Sequence, residues 1–142
     1  MFDESFLSQL KRWNEKTSLK NLKFNRGIER ETLRVSKDGS ISNRPHPEAL
    51  GSPLTNTYIT TDFAEALIEL VTPKFDNVDD LYSCLQDLHV FTAQNIDEDE
   101  YLWAHSRPCR IEKESDINIA NYGTNDSGML KHIYRKGLRA RY

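Results

Sequence analysis

The sequence predicts an α+β fold in which helices flank an antiparallel sheet. Residues 22–36 and the second half of 58–71 read as strands, and the Asp38-Gly39 pair is typical of a β-hairpin turn. Strands joined by tight turns are antiparallel, and helices then pack on the sheet. Three further segments place apolar residues at helical spacing, namely residues 3–16, 77–95 and 126–142.

The composition indicates one domain with a lean core. At 142 residues, 37% hydrophobic content and a mean hydropathy of -0.69, the chain can form a core but is poor in apolar residues for a self-contained domain. We therefore expect part of its apolar surface to need a partner. The net charge of -3 is unevenly spread, because residues 131–142 hold five basic side chains and no acid, against 14 basic and 22 acidic in residues 1–130.

Signals for export or membrane insertion are missing from the sequence. No apolar stretch approaches the roughly 20 residues of a membrane span, and the acidic N-terminus differs from the start of a signal peptide. Cys84 and Cys109 form neither a Cys-x-x-Cys pair nor a disulfide framework, and both read as ordinary thiols. We expect a soluble, cytoplasmic protein with no membrane partner.

The first half of the chain contains a helix, a hairpin and an ambiguous segment. The helix is predicted from Asp3 to Lys16, and its apolar side, expected to pack, consists of Phe6, Leu7, Leu10 and Trp13. After the strand 22–36, the turn should return Ile41 as a hairpin, and the prolines between residues 43 and 53 predict a loop. In the segment 58–71, β-branched residues favour a strand for the second half, while residues 62–66 can still be helical.

Two helices are predicted in the second half. The first has Asn77 as its cap and ends near Asn95, and its apolar stripe is Val78, Leu81, Leu85, Leu88 and Thr92. No long strand is predicted in residues 96–125. Asp126 or Ser127 should cap the last helix, which runs to the final residue as in a truncated sequence, and one side of it is lined by Met129, Leu130, Ile133, Tyr134 and Leu138.

Acidic residues interrupt both predicted strands. Read as a strand, residues 29–35 place Glu29 and Glu31 on one face, above Leu33 and Val35. Unpaired carboxylates that face a core cost about several kcal/mol each, so a cation or a divalent metal ion should compensate them. Asp62, Glu65 and Glu69 form the second acidic cluster.

Each of these acids also has an interpretation without a metal. Glu29 and Glu31 can pair with Arg30, Arg34 or a neighbouring strand. Asp62 can cap a helix, and Glu65 is expected to be a solvent-facing or ion-pairing residue. Glu69 lies in an apolar run, which makes it the strongest single candidate.

Five motifs, in order along the chain, resemble glutamate–cysteine ligase of the bacterial type, also called γ-glutamylcysteine synthetase. They are Arg26–Val35, His46–Ser52, Ile59–Glu69, Asn121–Thr124 and Tyr134–Leu138. Members of that family are several times longer, so the resemblance implies that residues 1–142 are the N-terminal portion of one larger catalytic domain, inactive alone. It also implies that the antiparallel sheet is part of a half-barrel similar to that of glutamine synthetase.

The resemblance implies ligation of the γ-carboxylate of L-glutamate to L-cysteine through an acyl phosphate, with ATP as co-substrate and Mg²⁺ as cofactor. The implied metal ligands are Glu29, Glu31, Asp62 and Glu69. The implied cysteine site is formed by Phe63, Tyr134, Arg135 and Leu138. Carboxylates suit Mg²⁺, and an arginine suits a substrate carboxylate. The implied partners are small molecules, and a monomer is compatible with this interpretation.

The residues alone are also compatible with other functions. A related carboxylate–amine ligase would share the metal carboxylates and differ in the amine pocket. A non-catalytic module could bind nucleic acid through the basic helix from Lys131 to Arg141, although the acidic remainder of the chain opposes this. The chain could also be a catalytically dead domain kept for complex formation.

Overall fold

A computed structural model describes residues 3–17 and 22–139 and confirms the α+β prediction. The sheet has the strand order β2-β3-β1-β4, and its neighbouring strands are antiparallel. The elements are α1 (Glu4–Thr17), β1 (Glu29–Ser36), β2 (Ile59–Thr61), β3 (Leu67–Val71), α2 (Val78–Asn95), β4 (Glu100–Leu102) and α3 (Asp126–Arg139). The predicted continuation of the last helix to residue 142 lies outside the described residues.

The predicted hairpin after β1 is confirmed. The Ser36 amide donates to the Ser40 carbonyl oxygen at 2.9 Å, and Val35 pairs with Ile41 in an isolated bridge. Gly39 takes φ +80°, a conformation that a glycine adopts without the steric cost of a Cβ. β1 itself begins later than predicted, at Glu29, and Arg26 pairs with Phe75 in an isolated bridge before it.

The helix α2 covers one face of the sheet. Asn77 caps it as predicted, since its Oδ1 accepts the Asp79 amide at 2.9 Å. Buried side chains from the sheet and the 43–53 loop meet α2 and the residue after it; they are Leu50, Ile59, Ile68 and Leu70, packed against Leu85, Leu88 and Ile96. Val78, the first residue of the predicted apolar stripe, is 58% exposed and does not join this packing.

The structure of the segments around β2 and β4 differs in detail from the prediction. Residues 62–66 form the connection between β2 and β3, so the helical alternative for them is wrong. The predicted loop contains one short 3-10 helix, Glu48–Leu50, whose last residue is buried. Residues 96–125 contain the three-residue strand β4 and a 3-10 helix, Glu114–Asp116, which agrees with the expectation of no long strand there.

A buried ion pair joins β1 to β4. Arg34 is fully buried, and its Nη1 lies 3.0 and 3.1 Å from the two carboxylate oxygens of Glu100. Its Nη2 donates to the carbonyl oxygens of Arg44 and Glu65, at 2.8 and 3.0 Å. The Ser42 hydroxyl donates to the same Glu100 carboxylate. This network links two strands and the loops that follow β1 and β2.

The helix α3 packs closely on the loop before it. Asn125, not Asp126 or Ser127, is its cap, since Asn125 Oδ1 accepts the Gly128 amide at 2.8 Å. A Cβ at Gly128 would lie only 2.6 Å from the carbonyl oxygens of Tyr122 and Gly123. Only glycine therefore allows this contact without a backbone shift.

The apolar sides of α1 and α3 are exposed, which contradicts the packing role expected for α1 within the described residues. The exposed residues are Phe6, Leu7, Leu10 and Trp13 on α1, and Met129, Leu130, Ile133 and Tyr134 on α3. Neither these helices nor α2 is long and apolar enough, over the residues described, to cross a membrane.

Candidate active site

Three of the four predicted metal ligands lie on one face of the central strands. Glu31 is directly opposite Glu69 in the β1–β3 register, and Glu29 lies two residues before Glu31 on the same face. Directly opposed residues of antiparallel strands have Cβ atoms about 4.5–5.5 Å apart. Since Ile68 and Leu70 pack towards α2, Glu69 points to the other side of the sheet.

This face is more exposed to solvent than the strand pattern predicts. Glu29 and Glu31 are exposed, and Glu69 is half-buried. The expectation that the two β1 carboxylates face a core is therefore wrong. The reason is tertiary: α2 covers the opposite face, and a second buried cluster, of Val35, Ile41, Ala66 and Cys109, covers this face only further along β1.

The other three predicted carboxylates act electrostatically on Glu69. Partial burial raises the pKa of the Glu69 carboxyl above its ordinary value, and the negative charges of Asp62, Glu29 and Glu31 raise the pKa further. Arg135 acts in the opposite direction. The field at Glu69 therefore favours a bound proton or another positive charge.

The carboxylates are better placed to share a metal ion with water and phosphate oxygens than to enclose it by themselves. Among the described residues, no group of three or more histidine, cysteine, aspartate and glutamate side chains lies close enough to hold a metal ion. Mg²⁺ usually takes one or two protein carboxylates and completes its shell with water and phosphate oxygens. Glu31 and Glu69 supply two such carboxylates from adjacent strands.

The raised pKa of Glu69 predicts a pH-dependent stability. A carboxyl whose pKa is raised by folding stabilises the fold below its unfolded value, near 4.5, and this contribution is lost as the pH rises through the raised value. Without divalent cations, the thermal midpoint of the wild type should approach that of Glu69→Gln at low pH and fall below it with rising pH. Midpoints measured between about pH 4 and 7 check this; a constant difference between the proteins would contradict it.

Asp62 and Arg135 form an ion pair between the end of β2 and α3. Arg135 Nη2 lies 3.0 Å from Asp62 Oδ1, with the arginine side chain only 15% exposed and the aspartate side chain 49% exposed. The buried Nη1 of Arg135 has no hydrogen-bond partner among the described residues. An arginine in this state can donate a further hydrogen bond to a carboxylate oxygen.

Tyr122 is a site residue for which the sequence analysis proposed no role. It is 3% exposed, and its hydroxyl lies 2.7 Å from the Thr61 carbonyl oxygen and 3.0 Å from that of Asp62. The Arg135 guanidinium carbon is 5.0 Å from its ring centroid, and Lys131 Nζ is 4.4 Å from it. Burial raises the pKa of its phenol. An aromatic residue in an irregular segment has no periodic signal, so the sequence predicts no role for it beyond the motif that contains it.

Glu65 differs from the other acids of its cluster. It is buried, and its two carboxylate oxygens accept the backbone amides of His46 and Asn121, at 2.9 and 2.6 Å. The expectation of a solvent-facing or ion-pairing residue is therefore wrong. Glu65 instead joins the connection between β2 and β3 to the 43–53 loop and to the loop before α3.

The predicted amine-substrate residues are brought together only in part. Arg135 is turned into the protein, as described above, whereas Tyr134 is 66% exposed. Phe63 and Leu138 are half-buried. The described residues therefore do not enclose the ring of Tyr134, and a complete pocket would need further walls.

Comparisons with known proteins identify related sequences and structures. The family model for glutamate–cysteine ligase matches residues 7–142. The glutamate–cysteine ligase of Francisella tularensis, solved in complex with AMP, is 45% identical with a TM-score of 0.80, over 83% of this chain and 24% of that one. A bifunctional glutathione synthetase from Pasteurella multocida is 36% identical with a TM-score of 0.64, over 66% of this chain and 13% of that one.

This chain thus spans about a quarter of the length of the Francisella enzyme. The family match extends over both acidic strands, the loop around Tyr122 and α3, which are the elements that carry the candidate site residues. The chain belongs to the glutamate–cysteine ligase family.

Proposed function

We propose that this chain provides the metal carboxylates and part of the amine site of an enzyme that joins L-glutamate to L-cysteine. ATP would phosphorylate the γ-carboxylate of glutamate and leave as ADP; the cysteine amine would then displace phosphate and form the amide. The observation that carries the proposal is the Glu31–Glu69 pair, with Glu29 and Asp62 adding to the field at Glu69.

The acidic face would serve phosphoryl transfer. Glu29, Glu31, Asp62 and Glu69 are the residues that would hold Mg²⁺. When bound, the ion supplies positive charge that offsets the repulsion between phosphate oxygens and these carboxylates. The AMP bound to the Francisella relative supports a nucleotide as co-substrate.

The amine substrate would be held from α3. The unpartnered Nη1 of Arg135 is suited to the carboxylate of the incoming amino acid, beside the ion pair with Asp62. Phe63, Tyr134 and Leu138 would form part of the wall around the cysteine side chain. Two aromatic rings and a leucine suit a small thiol, although they would also accept other small side chains.

These 142 residues would be the N-terminal portion of a larger catalytic domain. The open sheet and the exposed apolar sides of α1 and α3 are surfaces that further protein would cover. We propose that the fragment alone is inactive and that the whole enzyme works in the cytoplasm. Both cysteines are free thiols, which agrees with a reducing compartment.

The basic helix favours the ligase proposal over a nucleic-acid-binding module. Two of its cations face the protein, since Arg135 pairs with Asp62 and Lys131 lies over the ring of Tyr122. Fewer basic side chains are then available to neutralise phosphates, on which nucleic-acid affinity depends.

The test uses the polypeptide encoded by the complete reading frame that contains these 142 residues, hereafter the complete polypeptide. ADP release should require L-glutamate, Mg²⁺ and L-cysteine together, and the 142-residue chain alone should release none. Coupled spectrophotometric assays that omit one component at a time check this. Faster turnover with a different amine would show that this amine, and not cysteine, is the substrate. ADP release without any amine would contradict ligation.

A further inference from the structure

We propose that Tyr122 is a positioning residue that holds Arg135 in place for the carboxylate of the amine substrate. The inference rests on the proposed function, in which Arg135 meets that carboxylate. It concerns how the guanidinium is oriented, and it assigns Tyr122 no contact with the substrate.

The loop that carries Tyr122 is held by the tyrosine hydroxyl and by the backbone of the two residues before it. The tyrosine hydroxyl lies against the carbonyl oxygens of Thr61 and Asp62, at 2.7 and 3.0 Å. The preceding residue, Asn121, donates its amide to the buried Glu65 carboxylate at 2.6 Å. The amide of Ala120 donates to the Phe63 carbonyl oxygen at 3.0 Å. The ring is therefore tied to the same segment that carries Asp62.

The helix α3 is seated directly on this loop. The absent Cβ of Gly128 allows the first turn of α3 to approach the backbone of Tyr122 and Gly123. Lys131 and Arg135 follow at i and i+4, so both cations project over one side of the helix. Both lie within about 6 Å of the Tyr122 ring centroid, the range of a cation–π interaction.

Two contacts then fix the guanidinium of Arg135. Asp62 accepts a hydrogen bond from Nη2, and the ring of Tyr122 lies beneath the guanidinium carbon. The guanidinium is then held through its plane and through Nη2. Its Nη1 is left buried, with no hydrogen-bond partner in the described residues. Without the ring, the guanidinium could rotate away from the position at which Nη1 donates to a substrate oxygen.

The experiment compares Tyr122→Leu, Tyr122→Phe and the control Thr92→Val in the complete polypeptide. Tyr122→Leu removes the ring and should raise KM for cysteine by about 3- to 30-fold, with a smaller rise for Tyr122→Phe, which keeps the ring. KM for ATP and kcat should change little. Thr92→Val removes a similarly buried hydroxyl, bonded to the Leu88 carbonyl oxygen in α2, and should leave KM for cysteine unchanged.

A double-variant comparison with Arg135→Ala distinguishes a positioning role of Tyr122 from a general effect on the fold. In the background Arg135→Ala, Tyr122→Leu should add little further rise in KM, because the group that it positions is gone. Additive effects of the two substitutions, or an equal rise in KM for ATP, would overturn the inference while leaving the ligase activity of the wild type intact.

A second measurement is independent of catalysis. Phenylglyoxal should modify Arg135 several-fold faster in Tyr122→Leu than in the wild type, with the exposed Arg12 of α1 as the internal reference in peptide mass spectrometry. This readout applies even if the wild type proves inactive, which would refute the proposed function alone. An unchanged rate at Arg135 would overturn the inference.

Discussion

Replacing Glu69 with glutamine in the complete polypeptide should lower kcat/KM for ADP release by about 100-fold or more. Glutamine keeps the shape and one carbonyl oxygen but loses the charge that would hold Mg²⁺. A metal ion supplies about several kcal/mol of charge stabilisation in such reactions, and each 1.36 kcal/mol is about a tenfold change in rate. Glu69 is the residue on which the charges of the other three carboxylates act.

The fold of Glu69→Gln should remain intact, since the change removes like-charge repulsion from the sheet. Circular dichroism and the thermal midpoint check this alongside steady-state kinetics. The matched control is Asp87→Asn, which neutralises an exposed carboxylate of α2, the helix on the opposite face of the sheet. A Glu69→Gln enzyme with more than a tenth of the wild-type kcat/KM would contradict the role proposed for this carboxylate.

The sequence was sufficient to predict the elements that carry strong local signals. The helix α2 is predicted with its cap and its end, because Asn77 stands directly before an apolar stripe that persists for about four turns, from Val78 to Thr92. The hairpin followed from Asp38-Gly39. By contrast, Asn125, Asp126 and Ser127 are adjacent and all able to cap, so the pattern could not choose among them. The strand β4, with three residues, is too short for any periodicity.

The candidate site was predictable only where it depends on alternation within a strand. Period-two alternation placed Glu29 and Glu31 on one face, and the register then brought Glu69 opposite Glu31. Which face is covered depends on α2, which is distant in sequence. The same limit applies to Glu65 and Tyr122, whose partners lie up to 61 residues away. Their roles arise from tertiary contacts that no local pattern encodes.

The largest loss of stability should come from Glu100→Gln, which would lower the free energy of unfolding by about 3–5 kcal/mol. Arg34 is fully buried beside Glu100, so the change leaves a positive charge in the interior without its compensating carboxylate. Glutamine also replaces one of two acceptor oxygens that face Arg34 with a donor group. Urea unfolding of the wild type and the variant, followed by circular dichroism, measures the difference.

The double variant Arg34→Met, Glu100→Leu provides the more informative comparison. Removing both charges avoids an unpaired buried ion, so the double variant should be less destabilised than the sum of the two single substitutions. It should still not recover the wild type, because the carbonyl oxygens of Arg44 and Glu65 lose their donor, Arg34 Nη2. Glu112→Gln, at the exposed ion pair with Arg110, is the surface control and should leave the unfolding midpoint nearly unchanged. A Glu100→Gln protein as stable as this control would show that the buried pair does not hold β1 against β4.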